Sequence, residues 1–176
     1  MRVIAGTYRG RPLVAPRGNA TRPTADRVRE ALFSTLGDMS GLEVLDLFAG
    51  SGALAIEALS RGAASATLVD SAPSAITAIR RNLETLGMTA DVRAASATAF
   101  LRTARSHGRQ YDLVFLDPPY RRASSLGGEL SIALAPVLAT GARVVSESDR
   151  REPLELELPL SDERVYGDTL IRIHDA

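Results

Sequence analysis

Short apolar runs alternate with amphipathic segments along most of this 176-residue chain, and no other sequence feature constrains its fold as strongly. The runs Val44–Phe48 and Leu113–Leu116 have the length and composition of buried strands, whereas residues 73–86 repeat apolar side chains at helical spacing. Strands that alternate with helices build a mostly parallel sheet with helices on both faces. The pattern therefore predicts an α/β domain with a doubly wound, Rossmann-like topology.

The number of apolar runs predicts the number of strands in this sheet. The tail alternates polar and apolar residues with period two in segments 154–160 and 164–173, around a Gly-Asp turn, which predicts two strands. We therefore expect a seven-stranded, mostly parallel sheet with one antiparallel strand. The five strands predicted before the tail are at Val44–Phe48, Ala66–Val69, around Val92, at Leu113–Leu116 and at Ala142–Ser146.

Residues 1–25 precede the alternating pattern, and we expect them to form a layer of their own beside a larger domain at residues 26–176. The segments Arg2–Ala5 and Pro12–Val14 predict a small N-terminal β-hairpin, which a loop follows. Residues 1–30 hold seven arginines against two acids, although the whole chain is balanced at 21 basic and 21 acidic residues. A basic arm of this kind can contact nucleic-acid phosphates.

The composition excludes several kinds of site and location. The absence of cysteine excludes disulfides and thiolate metal sites, and His107 and His174 are far apart without ligand-like companions, so we expect no metal. No apolar stretch reaches the roughly 18 residues that a membrane-spanning helix needs. The start "MRVIAG" is too short in its apolar part for a secretory signal. We therefore expect a cytoplasmic protein without a membrane partner.

Glycines and acids follow the first two predicted strands, at the ends where doubly wound sheets bind ligands. The sequence "LDLFAGSGALA" places Gly50 and Gly52 just before a helix, and these glycines let the backbone approach a ligand closely. Asp70 ends the next strand, where its carboxylate can accept hydrogen bonds from both hydroxyls of a ribose. Asp46 suits a cationic amino-acid group better than an anionic pyrophosphate. Together these residues predict a pocket for a nucleoside-containing cofactor.

An aspartate, two prolines and a tyrosine end the fourth predicted strand, in the sequence "DLVFLDPPY". Asp117 puts a carboxylate at the C-terminal edge of the strand. Pro118 and Pro119 fix φ and donate no backbone hydrogen bond, so they form a stiff ledge. Tyr120 adds a flat aromatic face with a polar tip. Because this strand should lie beside the first one, we expect the rigid group next to the nucleoside pocket.

The combination of "DLFAGSG", Asp70 and "DPPY" resembles the class I S-adenosylmethionine-dependent methyltransferases that modify exocyclic amino groups. More narrowly, "MRVIAGTYRGRPL", "TRPTADRVREALF", "LDLFAGSGALAIEALSRGA", "YDLVFLDPPY" and the late "YGDT" resemble the bacterial small-subunit rRNA methyltransferase D family. The similarity extends from Met1 to about Ile173. Members of that family methylate N2 of one guanine in 16S rRNA. The resemblance implies this activity, S-adenosyl-L-methionine as the cofactor, a class I methyltransferase domain at residues 26–176 and an RNA-facing arm at residues 1–25.

The resemblance also implies which residues surround the cofactor. Asp46 and the glycines would lie around the methionine part, Asp70 would hold the ribose and Ser71 would lie beside the adenine. Ser96 stands where the family usually carries Asp or Asn to contact the adenine amino group, and Ala97 offers only its backbone N–H there. The implied cofactor-binding residues are Thr24, Asp46, Phe48, Ala49, Gly50, Ser51, Gly52, Asp70, Ser71, Ser96 and Ala97.

For the reaction, the resemblance implies that Asp117 and the backbone carbonyl of Pro118 accept the hydrogens of the target amino group. The rings of Pro118 and Pro119 would hold these acceptors still, and Tyr120 would stack on a flipped base. The expected partner is 16S rRNA in the small ribosomal subunit or an assembly intermediate, and we expect the protein to be a monomer. The implied RNA-binding residues are Arg9, Arg11, Arg22, Arg27, Arg121 and Arg122.

Three other interpretations stay open. An adenine-N6 methyltransferase acting on DNA or RNA shares the Asp-Pro-Pro-Tyr signature, but such enzymes usually need an extra target-recognition region, for which 176 residues leave little room. The spacing Gly50-x-Gly52-x-x-Ala55 also satisfies the fingerprint of NAD-dependent oxidoreductases, although Asp46 and the lack of a substrate domain count against this class. A nonenzymatic ribosome-assembly factor would have no need for Asp117 and its neighbours.

Overall fold

Seven strands and five α-helices form the part of the chain that the structure, a computed structural model, describes. This part comprises residues 1–16, named the N-terminal segment below, and residues 26–176 without the side chains of residues 120–125. The strands are β1 (Glu43–Leu47), β2 (Ser65–Asp70), β3 (Asp91–Ala94), β4 (Tyr111–Leu116), β5 (Leu138–Asp149), β6 (Leu160–Tyr166) and β7 (Thr169–Asp175). The helices are α1 (Asp26–Leu36), α2 (Ala53–Ser60), α3 (Pro73–Leu86), α4 (Ala97–Ser106) and α5 (Tyr120–Leu134), followed by a short 3₁₀ helix at Ala135–Val137.

The strands form a single sheet in the order β3-β2-β1-β4-β5-β7-β6. All neighbouring pairs from β3 to β5 are parallel, and β7 pairs antiparallel with both β5 and β6. This confirms the predicted seven-stranded sheet with one antiparallel strand. The chain begins the sheet at β1, moves outward to β3 and then returns to β4 on the other side of β1. The strand order therefore reverses between β1 and β4, where doubly wound folds bind their ligands.

Two apolar cores lie on opposite faces of the sheet, which confirms the prediction of helices on both faces. Helices α1, α2 and α3 pack on one face, where the rings of Phe33 and Phe115 lie 5.7 Å apart between their centroids. Helices α4 and α5 pack on the other face, where Leu101 and Leu130 are fully buried. Burial of apolar surface on both faces is the main favourable contribution to folding of such a layered domain.

Helix α3 has the bounds that its sequence predicts. Pro73 occupies the first turn, where its missing N–H costs no hydrogen bond, and Gly87 ends the helix with a left-handed φ of 64°. The buried side chains of α3 recur at helical spacing and face the sheet. They are Ala75, Ile76, Ala78, Ile79, Asn82, Leu83 and Leu86. The amide of Asn82 is the polar member of this otherwise apolar face.

Residues 154–160 differ from the prediction of a strand, because only Leu160 belongs to one, at the start of β6. Leu154 is fully buried in the core that α5 also helps to form. The segment can approach α5 closely because residue 127 is glycine: a Cβ on Gly127 would lie 1.9 Å from the carbonyl oxygen of Glu155. The apolar side chains that give this segment its period-two alternation therefore pack against a helix, and the segment does not pair within the sheet.

The N-terminal segment forms a hairpin without regular strands, so the predicted hairpin is present only as an antiparallel bridge between Arg2 and Pro12. Two features limit its ladder. Pro12 has no N–H to donate. The backbone N–H groups of Ile4 and Ala5 donate instead to the two carboxylate oxygens of Glu57 in α2, at 2.7 and 3.0 Å. The segment is thus attached to α2 through a carboxylate that is itself fully buried.

The predicted division of the chain at residue 25 stays a prediction, since residues 17–25 lie outside the described part.

Among the helices of the described residues, none combines the length and the apolar character that crossing a bilayer requires. Within the same residues, no group of three or more His, Cys, Asp or Glu side chains is arranged to hold a metal ion.

Candidate active site

The carboxyl ends of β2, β1 and β4 lie side by side at the point where the strand order reverses. Leu47 of β1 pairs with Val69 on one side and with Leu116 on the other. Asp70 follows Val69, and Asp117 follows Leu116. The two aspartates predicted to hold the cofactor and the target group therefore flank the loop that leaves β1, as the strand order predicts.

The loop that leaves β1, residues 48–52, is named the glycine loop. Phe48, Gly50 and Gly52 all have a left-handed backbone, with φ of 63°, 57° and 77°. Glycine adopts this conformation at little cost, whereas phenylalanine does so rarely. A Cβ at position 52 would also lie only 2.7 Å from Cδ2 of Leu68. Backbone shape therefore favours glycine at position 50, and both backbone shape and the packing of Leu68 favour it at position 52.

The carboxylate of Asp70 is oriented by backbone groups on both sides. Its Oδ2 accepts the N–H of Gly50 at 2.9 Å, and its Oδ1 accepts the N–H of Ala72 at 2.8 Å. Each oxygen keeps a further lone pair, so both can still accept a hydroxyl of a vicinal diol such as that of a ribose. Asp70 thus fixes the glycine loop and keeps acceptor positions that suit the hydroxyls of a nucleoside.

Asp46 lies beneath the glycine loop at 2% exposure, and its Oδ2 accepts the N–H of Ala55 at 3.2 Å. It supplies the acceptor at the start of α2 that Gly52, the N-cap residue, lacks. Burial raises the pKa of Asp46 to about 7, and the nearby Asp70 carboxylate adds to this, against the lowering effect of the Ala55 hydrogen bond. A cationic group bound beside Asp46 would favour its ionised form.

Asp117, just after the end of β4, lies level with Glu147 inside β5, because Leu116 pairs with Ser146. Side chains alternate along strands, so Asp117 and Glu147 lie on the same face of the sheet as Asp46, which pairs with a residue two positions before Asp117. Desolvation raises the pKa of Asp117 well above the usual aspartate range, and the Glu147 and Asp46 carboxylates raise it further.

Glu147 is a site residue that the sequence analysis did not identify. It is only 6% exposed, although it is an acid, and it lies inside β5 after the buried residues Val144, Val145 and Ser146. The same signal, an acid inside an apolar strand, did single out Asp46. The sequence therefore contained a clue to Glu147, but only the register between β4 and β5 places it beside Asp117.

Pro118 and Pro119 connect β4 directly to α5. Pro118 is buried and Pro119 is exposed, and Pro119 precedes the first helical residue, Tyr120. The two prolines are therefore restrained on both sides, by the end of β4 and by the start of α5. Other predicted residues lie outside the described side chains: Thr24, Arg22, and the side chains of Tyr120, Arg121 and Arg122.

The predicted adenine-binding residues lie at the ends of β2 and β3. Ser71 is exposed, and Ala97 begins α4 with its side chain buried. Ser96 is the N-cap of α4, where its Oγ accepts the N–H of Ala99 at 3.3 Å. Its hydroxyl hydrogen stays available to a ligand. The side chain that replaces the usual Asp or Asn is therefore engaged in helix capping.

Three of the predicted RNA-binding arginines, Arg9, Arg11 and Arg27, lie in the described part, and all three are exposed. Arg11 also approaches α3, where its Nη2 lies 3.5 Å from the carbonyl oxygen of Thr85. Exposure is necessary for a phosphate contact, so these positions are compatible with the prediction.

Comparison with known proteins gives matches along the whole chain. A model of the family described as Conserved hypothetical protein 95 matches residues 1–175. YlbH of Bacillus subtilis is 38% identical over 184 residues, which cover 99% of this chain and 98% of that protein. Ribosomal RNA small subunit methyltransferase D of Escherichia coli is 43% identical over 123 residues, which cover 69% of this chain and 61% of that protein. The solved structure of hypothetical protein TTHA0928 of Thermus thermophilus is 33% identical, has a TM-score of 0.86 and is matched over 99% of its length by the whole of this chain.

The residues at the ends of β1 and β2 fit the predicted cofactor, S-adenosyl-L-methionine. Asp70 keeps two acceptor positions for ribose hydroxyls, and Asp46 offers a buried carboxyl to an ammonium group. The fold is the Rossmann-like fold of class I methyltransferases. By its sequence, its fold and these relatives, the chain belongs to the Conserved hypothetical protein 95 family, the small-subunit rRNA methyltransferase D family that its motifs predict.

Proposed function

We propose that this protein transfers a methyl group from S-adenosyl-L-methionine to the exocyclic N2 of one guanine in 16S rRNA. One observation carries the proposal: two different kinds of site flank Leu47, with Asp70 and the glycine loop on one side and Asp117 on the other. The first suits a nucleoside-containing cofactor, and the second suits an amino group. The name of the Escherichia coli relative, ribosomal RNA small subunit methyltransferase D, supports rRNA as the substrate class.

The acceptors at the end of β4 would activate the target nitrogen. The lone pair of an exocyclic amino group is delocalised into the purine ring, so the nitrogen is a poor nucleophile. Asp117 and the carbonyl oxygen of Pro118 accept its two hydrogens and draw the nitrogen toward tetrahedral geometry. Because Pro118 and Pro119 restrain both acceptors, little reorganisation is needed during the reaction. The bound cofactor supplies a methyl group on a sulfonium, which is a strong leaving group.

The protonation state of Asp117 should control this step. An ionised Asp117 accepts a hydrogen from the amino group and can later take the proton that the methylated nitrogen loses. A protonated Asp117 has lost part of this acceptor capacity. Since burial and neighbouring acids raise the pKa of Asp117, transfer should increase with pH until Asp117 is ionised.

Other roles predicted from the sequence belong to the same proposal. Tyr120 stacks on the flipped guanine, the arginines near the mouth of the site contact phosphates, and Ser71, Ser96 and Ala97 lie along the adenine. The substrate is 16S rRNA in the small subunit or in an assembly intermediate, and the enzyme acts as a monomer in the cytoplasm. Support for these roles comes from the matched motifs and from the exposure of Arg9 and Arg11.

The proposal is tested by identifying the methylated nucleoside. The protein is incubated with methyl-labelled S-adenosyl-L-methionine and with small subunits, or free 16S rRNA, from cells that lack the modification, and the RNA is digested to nucleosides. We expect the label in N2-methylguanosine, with a preference for one of the two RNA forms. Label in N6-methyladenosine would support the adenine-N6 alternative, and absence of label on both substrates would contradict the proposal.

A further inference from the structure

Asn82 in the middle of α3 is a buried amide whose polar atoms all face other segments of the chain. It is 2% exposed. Its Oδ1 accepts the N–H of Val14 at 2.8 Å, while its Nδ2 donates to the carbonyl oxygens of Val14 at 3.0 Å and Ser51 at 2.9 Å. These partners fix the orientation of the amide, because the Val14 N–H requires an acceptor and the two carbonyls require a donor.

The bond from Asn82 to Ser51 holds one end of a peptide unit in the glycine loop. The carbonyl of Ser51 points to Asn82, and the N–H of the same peptide unit, on Gly52, donates to the carbonyl oxygen of Ala49 at 2.6 Å. In a trans peptide these two groups point in opposite directions, so fixing both fixes the plane between them. Asn82 therefore helps to set the shape of the loop that faces the cofactor.

The bonds from Asn82 to Val14 hold the N-terminal segment. The backbone N–H and carbonyl of Val14 both pair with the Asn82 amide, much as they would pair with a neighbouring strand. Val14 itself is 38% exposed, so these hydrogen bonds hold it more than burial does. The segment also contacts the glycine loop directly, since the hydroxyl of Ser51 donates to Sδ of Met1 at 3.7 Å. The same segment carries the exposed Arg9 and Arg11.

We propose that Asn82 is a positioning residue that couples the glycine loop to the N-terminal segment, so that cofactor binding at the loop also orders the segment that faces the RNA. The coupling is reciprocal. A ligand that orders the glycine loop favours the orientation of Asn82 that also holds the N-terminal segment, and a ligand that orders the segment favours the same loop conformation. This inference rests on the proposed cofactor site, but it does not depend on which base is methylated.

The test is hydrogen–deuterium exchange, followed by mass spectrometry, with and without saturating S-adenosylhomocysteine, well below the melting temperature. The wild type is compared with Asn82→Ala, which loses all three hydrogen bonds, and with Asn82→Asp, which keeps the acceptor for the Val14 N–H but loses the donors. Thr77→Ala is the matched control, because Thr77 lies on the exposed face of α3 and its hydroxyl donates only within that helix, to the Pro73 carbonyl.

We expect S-adenosylhomocysteine to slow exchange in both the glycine loop and the N-terminal segment of the wild type and of Thr77→Ala. In both Asn82 variants the ligand should still protect the glycine loop, with affinity reduced about tenfold by the lost hydrogen bonds. Its effect on the N-terminal segment should be much smaller than in the wild type even at saturation, because only the direct contact of Ser51 with Met1 then joins the two. A purely structural amide would raise exchange in the absence of ligand and leave the ligand-induced difference unchanged.

Ligand-induced protection of the N-terminal segment in Asn82→Asp equal to that in the wild type would overturn the coupling. So would binding to the wild type that leaves this segment unprotected. A wild type that does not bind S-adenosylhomocysteine at all would instead contradict the proposed function and the coupling together. The two failures are therefore distinguishable in one experiment.

Discussion

The ends of β2 and β4 each carry an aspartate, one on either side of the glycine loop, yet the surroundings of these two residues differ. At the end of β2, both oxygens of Asp70 accept backbone N–H groups, from Gly50 and Ala72. At the end of β4, Asp117 is desolvated and lies beside two other acids, Glu147 and Asp46, which raise its pKa. The orientation of the Asp70 carboxylate is therefore fixed by backbone donors, while the environment of Asp117 raises its pKa and opposes its ionised form.

This difference suits two different tasks. A carboxylate whose orientation is fixed by backbone donors is preorganised to accept the two hydroxyls of a diol, as a cofactor site requires. A carboxylate whose proton affinity is raised by burial and by like charges is a better proton acceptor, as an amino-group methyltransferase requires. We therefore infer that the β2 end serves binding and the β4 end serves transfer. Substitutions at the two strand ends should therefore have separable effects on cofactor binding and on methyl transfer.

The largest effect is expected for Asp117→Ala. The variant removes the acceptor that aims the target nitrogen, and loss of one preorganised hydrogen-bonding group typically costs about 100- to 1,000-fold in rate. The measurement is single-turnover methyl transfer to small subunits under saturating cofactor. A rate within tenfold of the wild type would show that Asp117 does not activate the amino group.

The next largest effect is expected for Asp70→Ala, and it should fall on binding. The variant loses two hydrogen bonds to ribose hydroxyls from a charged acceptor, and it also leaves the N–H groups of Gly50 and Ala72 without their acceptor. We expect the Kd for S-adenosylhomocysteine, measured by calorimetry, to rise about 100-fold. Asp70→Asn, which keeps one acceptor oxygen, is the control and should lose less. Unchanged affinity in Asp70→Ala would refute the division between the two strand ends.

A smaller effect, of about tenfold, is expected from the titration of Asp46. With a pKa of about 7, Asp46 is largely protonated at pH 6 and largely ionised at pH 8. An ammonium group of the ligand binds better beside the ionised carboxylate than beside the neutral acid. The affinity of the wild type for S-adenosylhomocysteine should therefore increase about tenfold over this interval. In Asp46→Asn the affinity should be lower, and this increase should vanish. An equal increase in both proteins would assign it to the ligand alone.

The smallest effect is expected for Glu147→Gln, which removes one of the charges that raise the pKa of Asp117. Without the Glu147 charge, the pKa of Asp117 falls and Asp117 ionises at lower pH. The rise of kcat/KM on the acid side of its pH profile should therefore move to lower pH. The rate on the plateau should change by only a few-fold, and the Kd for S-adenosylhomocysteine should not change. A limb that stays in place would mean that Glu147 does not act on the titrating group.

Sequence periodicity was sufficient for the elements that hold the site. The spacing of Ile76, Ile79, Leu83 and Leu86, with Pro73 before them, gave the bounds of α3, because helix ends depend on local residues. The doubly wound topology predicted the fourth strand beside the first, so the positions of Asp70 and Asp117 around the end of β1 were also predictable. These features depend on short-range sequence and on general rules of topology.

The parts that the sequence did not predict depend on contacts between distant segments. Residues 154–158 have the alternation of a strand, but the space left by Gly127 lets them pack on α5. Glu147 becomes part of the site through the register of β4 with β5, and Asn82 through contacts with residues 31 and 68 positions away. A buried polar residue on an apolar helix face was visible in the sequence, but its partners were not.

The most direct test of the division between the two strand ends is the Kd of S-adenosylhomocysteine for Asp117→Ala, measured beside the wild type at the pH used for methyl transfer. We expect affinities that agree within about threefold, corresponding to less than about 0.7 kcal/mol, while transfer by the variant is lost. Transfer and affinity that fall together would contradict this division, because Asp117 would then belong to the cofactor site and not to a separate site for the target amino group.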